Sequence, residues 1–215
     1  MHSGTVRVVL VEDIAVIRKA LRMMLGANPR IEVVGEAGDG AQALERTAAL
    51  RPDVLLLDLS LPGNASIADI LALNPGTAVV VYTASTDPGK LGAAIAAGAR
   101  GCLTKSASGP ELAAAILRVG GGAPFVHTIV ADLIRREPKE GERAALAGLD
   151  ARQREMLAMH TGLSDAELAA RLGVSPEGLA GELAALMERL DLPDRAHLLL
   201  YGVELGLSGG GGNTA

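Results

Sequence analysis

A chain of 215 residues, 49% hydrophobic with a mean hydropathy of +0.30, is long enough for two small domains with buried cores and is not an intrinsically disordered polypeptide. Its only aromatic residues are Tyr82, Phe125 and Tyr201, which excludes aromatic stacking platforms for single-stranded nucleic acid and leaves Ala, Leu and Val to build the cores. The formal charge of −5 is uneven: residues 143–215 carry six arginines, no lysine and ten carboxylates, so a basic footprint for a polyanion is missing from that half.

Cys102 is the single cysteine, which rules out an internal disulfide framework and a cysteine-based zinc site. No apolar run approaches the ~20 residues of a spanning helix. The first five residues are short and polar, unlike a signal peptide. The expectation is a cytoplasmic protein without membrane contact.

The elements of the first half alternate between two periods. Val6–Val11 is a β-rich apolar run, and residues 14–25 repeat apolar side chains at helical spacing. Residues 31–35 predict a second strand and 41–50 a second helix. Val54–Leu57 is apolar throughout, as a strand buried on both faces should be. A short helix over 67–73, a strand over 78–82 and a helix over 89–97 follow. A strand over 101–104 and a helix over 110–119 close the series. Five β–α units in succession predict a doubly wound, five-stranded parallel sheet of flavodoxin-like type, with any ligand at the carboxyl ends of the strands.

Gly120-Gly121-Gly122 interrupts that rhythm. A further helix is expected over 128–136, and Pro138-Lys139-Glu140-Gly141 reads as a flexible connector. Beyond it the pattern is helical only. Asp150 can cap a helix over 151–160, and Ser164 one over 165–172, with Glu167 completing a capping box. Ser175 with Pro176 opens a helix over 176–190, and Asp194 starts a last one to about residue 205. The expected organisation is an α/β domain over 5–121, a linker with a short helix over 122–145, an all-α domain over 146–207 and a disordered tail over 208–215.

Five polar residues fall at strand ends: Glu12 and Asp13 after the first strand, Asp58 after the third, Thr83 at the fourth and Lys105 after the fifth. In a doubly wound sheet they converge on one edge. Clustered carboxylates suit Mg²⁺, a hard cation, while a hydroxyl and an ammonium can hold phosphoryl oxygens. Taken singly, each has a plainer reading: Asp13 could cap the helix after it, and Lys105 could be solvated.

Val11-Glu12-Asp13, Asp58-Leu59-Ser60-Leu61-Pro62, Thr83-Ala84 and Lys105 together resemble the receiver domain of response regulators over about residues 6–120. The run from Ile31 through Gly40 is similar to the NarL/FixJ subfamily. The resemblance implies Asp58 as phosphoacceptor, and Thr83 and Lys105 as phosphoryl contacts. It also implies Glu12, Asp13, Asp58 and the backbone carbonyl of Ser60 around Mg²⁺, with a sensor histidine kinase as partner. Two departures stand out. Residues 61–75 leave less room for a third helix than family members have. Cys102 occupies the position where receivers commonly place an aromatic ring that swings inward on phosphorylation, and it is too small to do so. Burial in a structural role suits Cys102 better than redox sensing, since nothing nearby in sequence lowers its pKa.

Residues 149–206 resemble the LuxR-type helix-turn-helix, most clearly from Gly162 through Ser175 and again at Leu186 to Leu192. The resemblance implies duplex DNA as partner, engaged by a homodimer. The recognition helix departs from the family, with Ala180 where a Lys is expected and Glu182 where a His is expected. Arg152, Arg154, Arg171, Ser175 and Glu177 remain as candidate DNA contacts. The alternative is a receiver-controlled protein-interaction module that no longer binds DNA. The apolar face of the last helix, with Leu198, Leu199, Val203 and Leu207, serves either a dimer or its own domain. No phosphate-binding Gly loop, nucleophile elbow or metal-binding His pair occurs, so no enzyme is expected beyond slow self-hydrolysis of an Asp58 phosphate.

Overall fold

The computed structural model describes residues 4–61 and 66–207. The segment 62–65, which includes Pro62 of the motif after Asp58, and the expected tail at 208–215 lie outside the described residues. The sheet contains β1 (Val6–Val11), β2 (Ile31–Ala37), β3 (Val54–Leu57), β4 (Ala78–Thr83), β5 (Gly101–Thr104) and β6 (Phe125–Val126). Its order is β2-β1-β3-β4-β5-β6 and every pairing is parallel. Among the described residues the expected five strands are six. The extra strand has only two residues, too few to carry a period, and the glycine run before it turns the chain back along β5.

Side chains alternate across the sheet as a period of two requires. Val8, Leu10, Val80 and Tyr82 face α1 (Ala15–Gly26) and α5 (Gly109–Gly120). Val9, Val11, Leu57, Val81 and Cys102 face the opposite layer. That layer comprises α2 (Gly40–Leu50), α3 (Ile67–Leu73), α4 (Pro88–Ala96) and α6 (Thr128–Ile134). The third helix is short, seven residues, as the sequence spacing requires. Where β2 bulges against β1, Gly35 lets the helix layer approach closely: an added Cβ would lie 2.5 Å from the Leu50 methyl, which would have to shift.

The connector expected at 138–141 is instead the entry to a helix, α7 (Glu140–Ala147). Its start carries no Ser, Thr, Asp or Asn cap. The Glu142 carboxylate accepts from the Lys139 N–H at 2.7 Å and also receives the Arg136 guanidinium at 2.7 and 2.8 Å. Arg136 bonds Glu204 as well, at 2.7 Å, so a long-range ion pair rather than local sequence orders this stretch. Hydrogen bonds from Arg136 hold Glu142 at a pKa of about 2.

The remaining helices are α8 (Ala151–His160), α9 (Asp165–Leu172), α10 (Pro176–Arg189) and α11 (Arg195–Glu204). Asp150, Ser164, Ser175 and Asp194 cap them as expected, and Gly173 closes α9 with a left-handed φ of 67° that makes the tight turn into α10. Leu157, Leu168, Leu179, Leu183, Leu186 and Leu198 are among the residues of their common core.

α11 also faces the other way. Leu199 and Val203, 2% and 5% exposed, belong to the core on the α4 and α6 side of the sheet. The apolar stripe of this helix therefore serves its own domain and the seam with the receiver side at once.

His160 lies at that seam, 3% exposed, and burial together with the Arg195 charge lowers its pKa to about 4. The folded state thus disfavours the proton that the unfolded chain accepts near pH 6.5. The contribution is complete above pH 6.5 and is lost as pH falls toward 4, on the order of 3 kcal/mol in all. Urea unfolding at pH 7.5 and 5.0 should show it, and a His160→Gln variant should flatten that part of the profile. An unchanged profile in the variant would refute the assignment.

Candidate functional site

The ladder of backbone hydrogen bonds runs one residue past the strands and thereby sets the site. The Glu12 N–H donates to the Ala37 carbonyl at 3.1 Å, Asp58 N–H to Val11 at 3.1 Å, and Lys105 N–H to Thr83 at 2.7 Å. Three loops are pinned side by side at the carboxyl edge of the sheet.

There Lys105 Nζ donates to Asp58 Oδ2 at 2.7 Å and to Glu12 Oε2 at 2.6 Å. Both acids are buried, Glu12 at 2% and Asp58 at 6% exposure. Glu12, Asp13 and Asp58 each offer an oxygen, and these lie within 4.8 Å of one another. Asp13 is exposed and makes no cap; α1 begins after Ile14 without a side-chain cap, so the helix-capping reading of Asp13 is set aside. The other Asp58 oxygen accepts from the Ser60 N–H at 3.1 Å. Thr83 is fully buried, and its hydroxyl oxygen accepts from the Ser85 N–H at 3.1 Å, which leaves the hydroxyl proton to donate. Glu12, Asp13, Asp58 and Lys105 are therefore brought together, and Thr83 closes β4 beside them.

Burial pulls the Lys105 ammonium down, but the hydrogen bonds and charges of Asp58 and Glu12 outweigh it and its pKa is raised. Three carboxylates against one ammonium leave a double negative charge in an oxygen-only donor set. That fits a small, hard divalent cation.

One neighbour was not readable from sequence. Arg18 Nη1 donates to the Glu12 carbonyl, and its Nε pairs with Glu36 at 3.2 Å, bracing the first loop from α1. Glu36 lies on β2, so only the β1–β2 pairing reveals the link. Tyr82 stands on the opposite face from Val81 and Cys102, with its hydroxyl 3.5 Å from the Lys105 carbonyl. Cys102 is completely buried, and burial pushes its thiol up to about 12, which leaves it protonated and unreactive.

In the helical domain the candidate contacts are largely engaged. Arg152 binds Glu182 in a fork at 2.8 and 2.9 Å and also reaches the Leu172 carbonyl at 3.3 Å. The hydrogen bond with Arg152 lowers the Glu182 pKa. Arg154 donates to the Ala147 carbonyl at 3.2 Å, and the Ser175 hydroxyl accepts from the Gly178 N–H at 3.1 Å as the α10 cap. Arg171 and Glu177 are exposed, on α9 and in the first turn of α10. Among the described residues no helix is long and apolar enough to cross a membrane.

The response regulator receiver domain family matches residues 8–117. The DNA-binding transcriptional activator DevR/DosR of Mycobacterium tuberculosis is 32% identical over 206 residues, covering 93% of this chain and 95% of that protein. The receiver domain of the putative response regulator NarL from Mycobacterium tuberculosis is 35% identical with a TM-score of 0.52, covering 55% of this chain and 98% of that one. Salmonella typhimurium RcsB, at 22% identity and a TM-score of 0.56, covers 92% of this chain and 98% of its own, so the two-domain fold extends to the α11 end. A parallel sheet with its acids and lysine at one edge, followed by a capped helix-turn-helix, places the chain in the response regulator family, of the NarL/FixJ type.

Proposed function

We propose that Asp58 accepts a phosphoryl group from a sensor histidine kinase in the cytoplasm, and that this event sets the activity of the helix-turn-helix domain as a DNA-binding transcriptional regulator. The observation that carries the reading is the shared ammonium: Lys105 bonds Asp58 and Glu12 together, with the Asp13 carboxylate in reach. Glu12, Asp13, Asp58 and the Ser60 carbonyl would hold Mg²⁺, which when bound neutralises charge on the attacking carboxylate and on the phosphoryl oxygens. An Asp58 oxygen forms the new P–O bond as the bond from phosphorus to the kinase imidazole breaks, and the electron pair leaves with the imidazole. Lys105 must release Asp58 Oδ2 to pair with a phosphoryl oxygen, and the free Thr83 proton can donate to another. Exposure to acetyl phosphate is expected to add one phosphoryl mass that maps to Asp58, only when Mg²⁺ is present. An adduct on another residue, or one formed equally in chelator, would sink the assignment.

Duplex DNA as partner is supported by the similarity to DevR/DosR, and the homodimer by the apolar α11. Leu199 and Val203 are covered by the receiver side here, so such a dimer face becomes free only when the domains part. The second reading, a protein-interaction module, is favoured by the Arg152–Glu182 fork and by the absence of lysine from residues 143–215. Selection of bound fragments from a genomic library by the full-length protein, with and without acetyl phosphate, separates the two. The regulator reading expects enrichment of discrete sites that strengthens with the phosphodonor, and a flat profile in both conditions supports the interaction module.

A further inference from the structure

At the seam between the domains lies a partly open cavity of about 180 Å³, about six water volumes at ~30 Å³ each, which has room for a tetrahedral ion with a few waters and is too small for a drug-sized ligand. Its charged lining comes from both sides. Arg100, just before β5, belongs to the receiver; His160, at the end of α8, and Arg195, at the start of α11, belong to the helical domain.

The hydrogen bonding around it is one-sided. Arg195 gives Nη1 and Nη2 to Asp165 at 2.8 and 2.6 Å, and its Nη2 also lies 3.3 Å from His160 Nδ1. A guanidinium can only donate, so Nδ1 is the acceptor and Nε2 of the neutral ring carries the proton. His160 Nε2 and Arg195 Nε are both buried without a hydrogen-bond partner among the described residues. Both are donors. Arg100 spends Nη2 on the Gly122 carbonyl at 2.7 Å, and its guanidinium pKa is lowered by burial and by the Arg195 charge. Two guanidiniums against the single Asp165 leave one positive charge uncompensated. Buried donors left unpaired are costly, and what they lack is an acceptor; the guanidinium charge left uncompensated beside them favours one that is negative.

We propose that this cavity binds a small oxyanion of the phosphate class, which bridges Arg100 to His160 and Arg195 and holds the two domains together. Ligand that binds only the joined arrangement stabilises it by mass action. The site is separate from Asp58, and the proposal does not depend on phosphorylation or on DNA.

The test uses the full-length protein in chelator, titrated with inorganic phosphate while sodium chloride keeps the ionic strength constant. A phosphate concentration ten times the dissociation constant is expected to raise the folding equilibrium constant about eleven-fold. The ¹⁵N signal of His160 Nε2 should shift along the same saturation curve, a local readout that phosphate near Lys105 would not move. Arg100→Gln should lose both responses, Arg100→Lys should recover part of them, and Arg30→Gln, on a different groove, should keep them. Stabilisation reproduced by chloride alone, or a His160 signal that stays still, would overturn the proposal; so would full responses in a folded Arg100→Gln protein. If Arg100→Gln does not fold, the His160 signal of the wild-type protein decides.

Discussion

Lys105→Met is expected to cost on the order of 3–5 kcal/mol of stability in chelator, because it removes the one cation from between two buried acids. Glu12 and Asp58 side chains are 2% and 5% exposed, and Lys105 Nζ is bonded to both. With the ammonium gone, two carboxylates face each other out of water. For a chain of this length the melting temperature should fall by on the order of 10 °C. Adding Mg²⁺ should recover much of the loss, since a divalent cation can take over the neutralising charge. Wild-type protein should gain less from Mg²⁺, because its lysine already neutralises part of the cluster. Thermal melts of both proteins, each in chelator and in Mg²⁺, check this. An equal drop in the two buffers would show that the cluster is not a cation site. The pH dependence has a definite sign. The Lys105 pKa is raised in the folded state, so its contribution is complete below the ordinary lysine value of about 10.5 and fades only above it. The wild-type advantage over Lys105→Met should therefore persist unchanged from pH 7 to pH 9.

Leu199→Asp is expected to separate the two domains while leaving the receiver pocket working. Leu199 is 2% exposed on α11 and packs in the core cluster with Leu91, Ala94, Ile95 and Val130. Burying a leucine there contributes about 1.5–3 kcal/mol, and an unpaired carboxylate in the same place adds a penalty of several kcal/mol. Each 1.4 kcal/mol is about tenfold in population, so the joined arrangement should become the minor one. Val203 still packs on the receiver-side core, whereas the polar contacts across the seam, Arg118 to the Gly162 carbonyl and Arg136 to Glu204, are hydrogen bonds that water can replace. X-ray scattering should show a radius of gyration clearly above the ~17 Å of a compact chain of this length. Phosphorylation of Asp58 should proceed at close to the wild-type extent. A compact variant would refute the seam, and a variant that cannot be phosphorylated would show that the domains fold only together.

The α/β alternation was legible because its elements carry their own signals. Val54–Leu57 is apolar on both faces, and the caps at Asp150, Ser164, Ser175 and Asp194 stand one residue before their helices. The pocket was legible for a related reason: in a parallel sheet every strand ends at the same edge, so residues that follow strands meet whatever their separation along the chain. Lys105 and Glu12 are 93 residues apart and share a hydrogen bond. β6 and α7 were missed where local pattern is weakest. The first is two residues long, and the second depends on Arg136 joining Glu142 and Glu204.

The sequence by itself determined the sheet, the four capped helices and the acid–lysine pocket, because periodicity, capping and strand-end position are properties of short segments. Only the tertiary structure decided where side chains from distant segments spend their bonds. Arg152, an open candidate in the chain, is held by Glu182; the apolar face of α11 is shared between two cores; and His160 and Arg195 meet Arg100 across the seam. Long side chains reach partners through space, and no local pattern encodes which partner arrives.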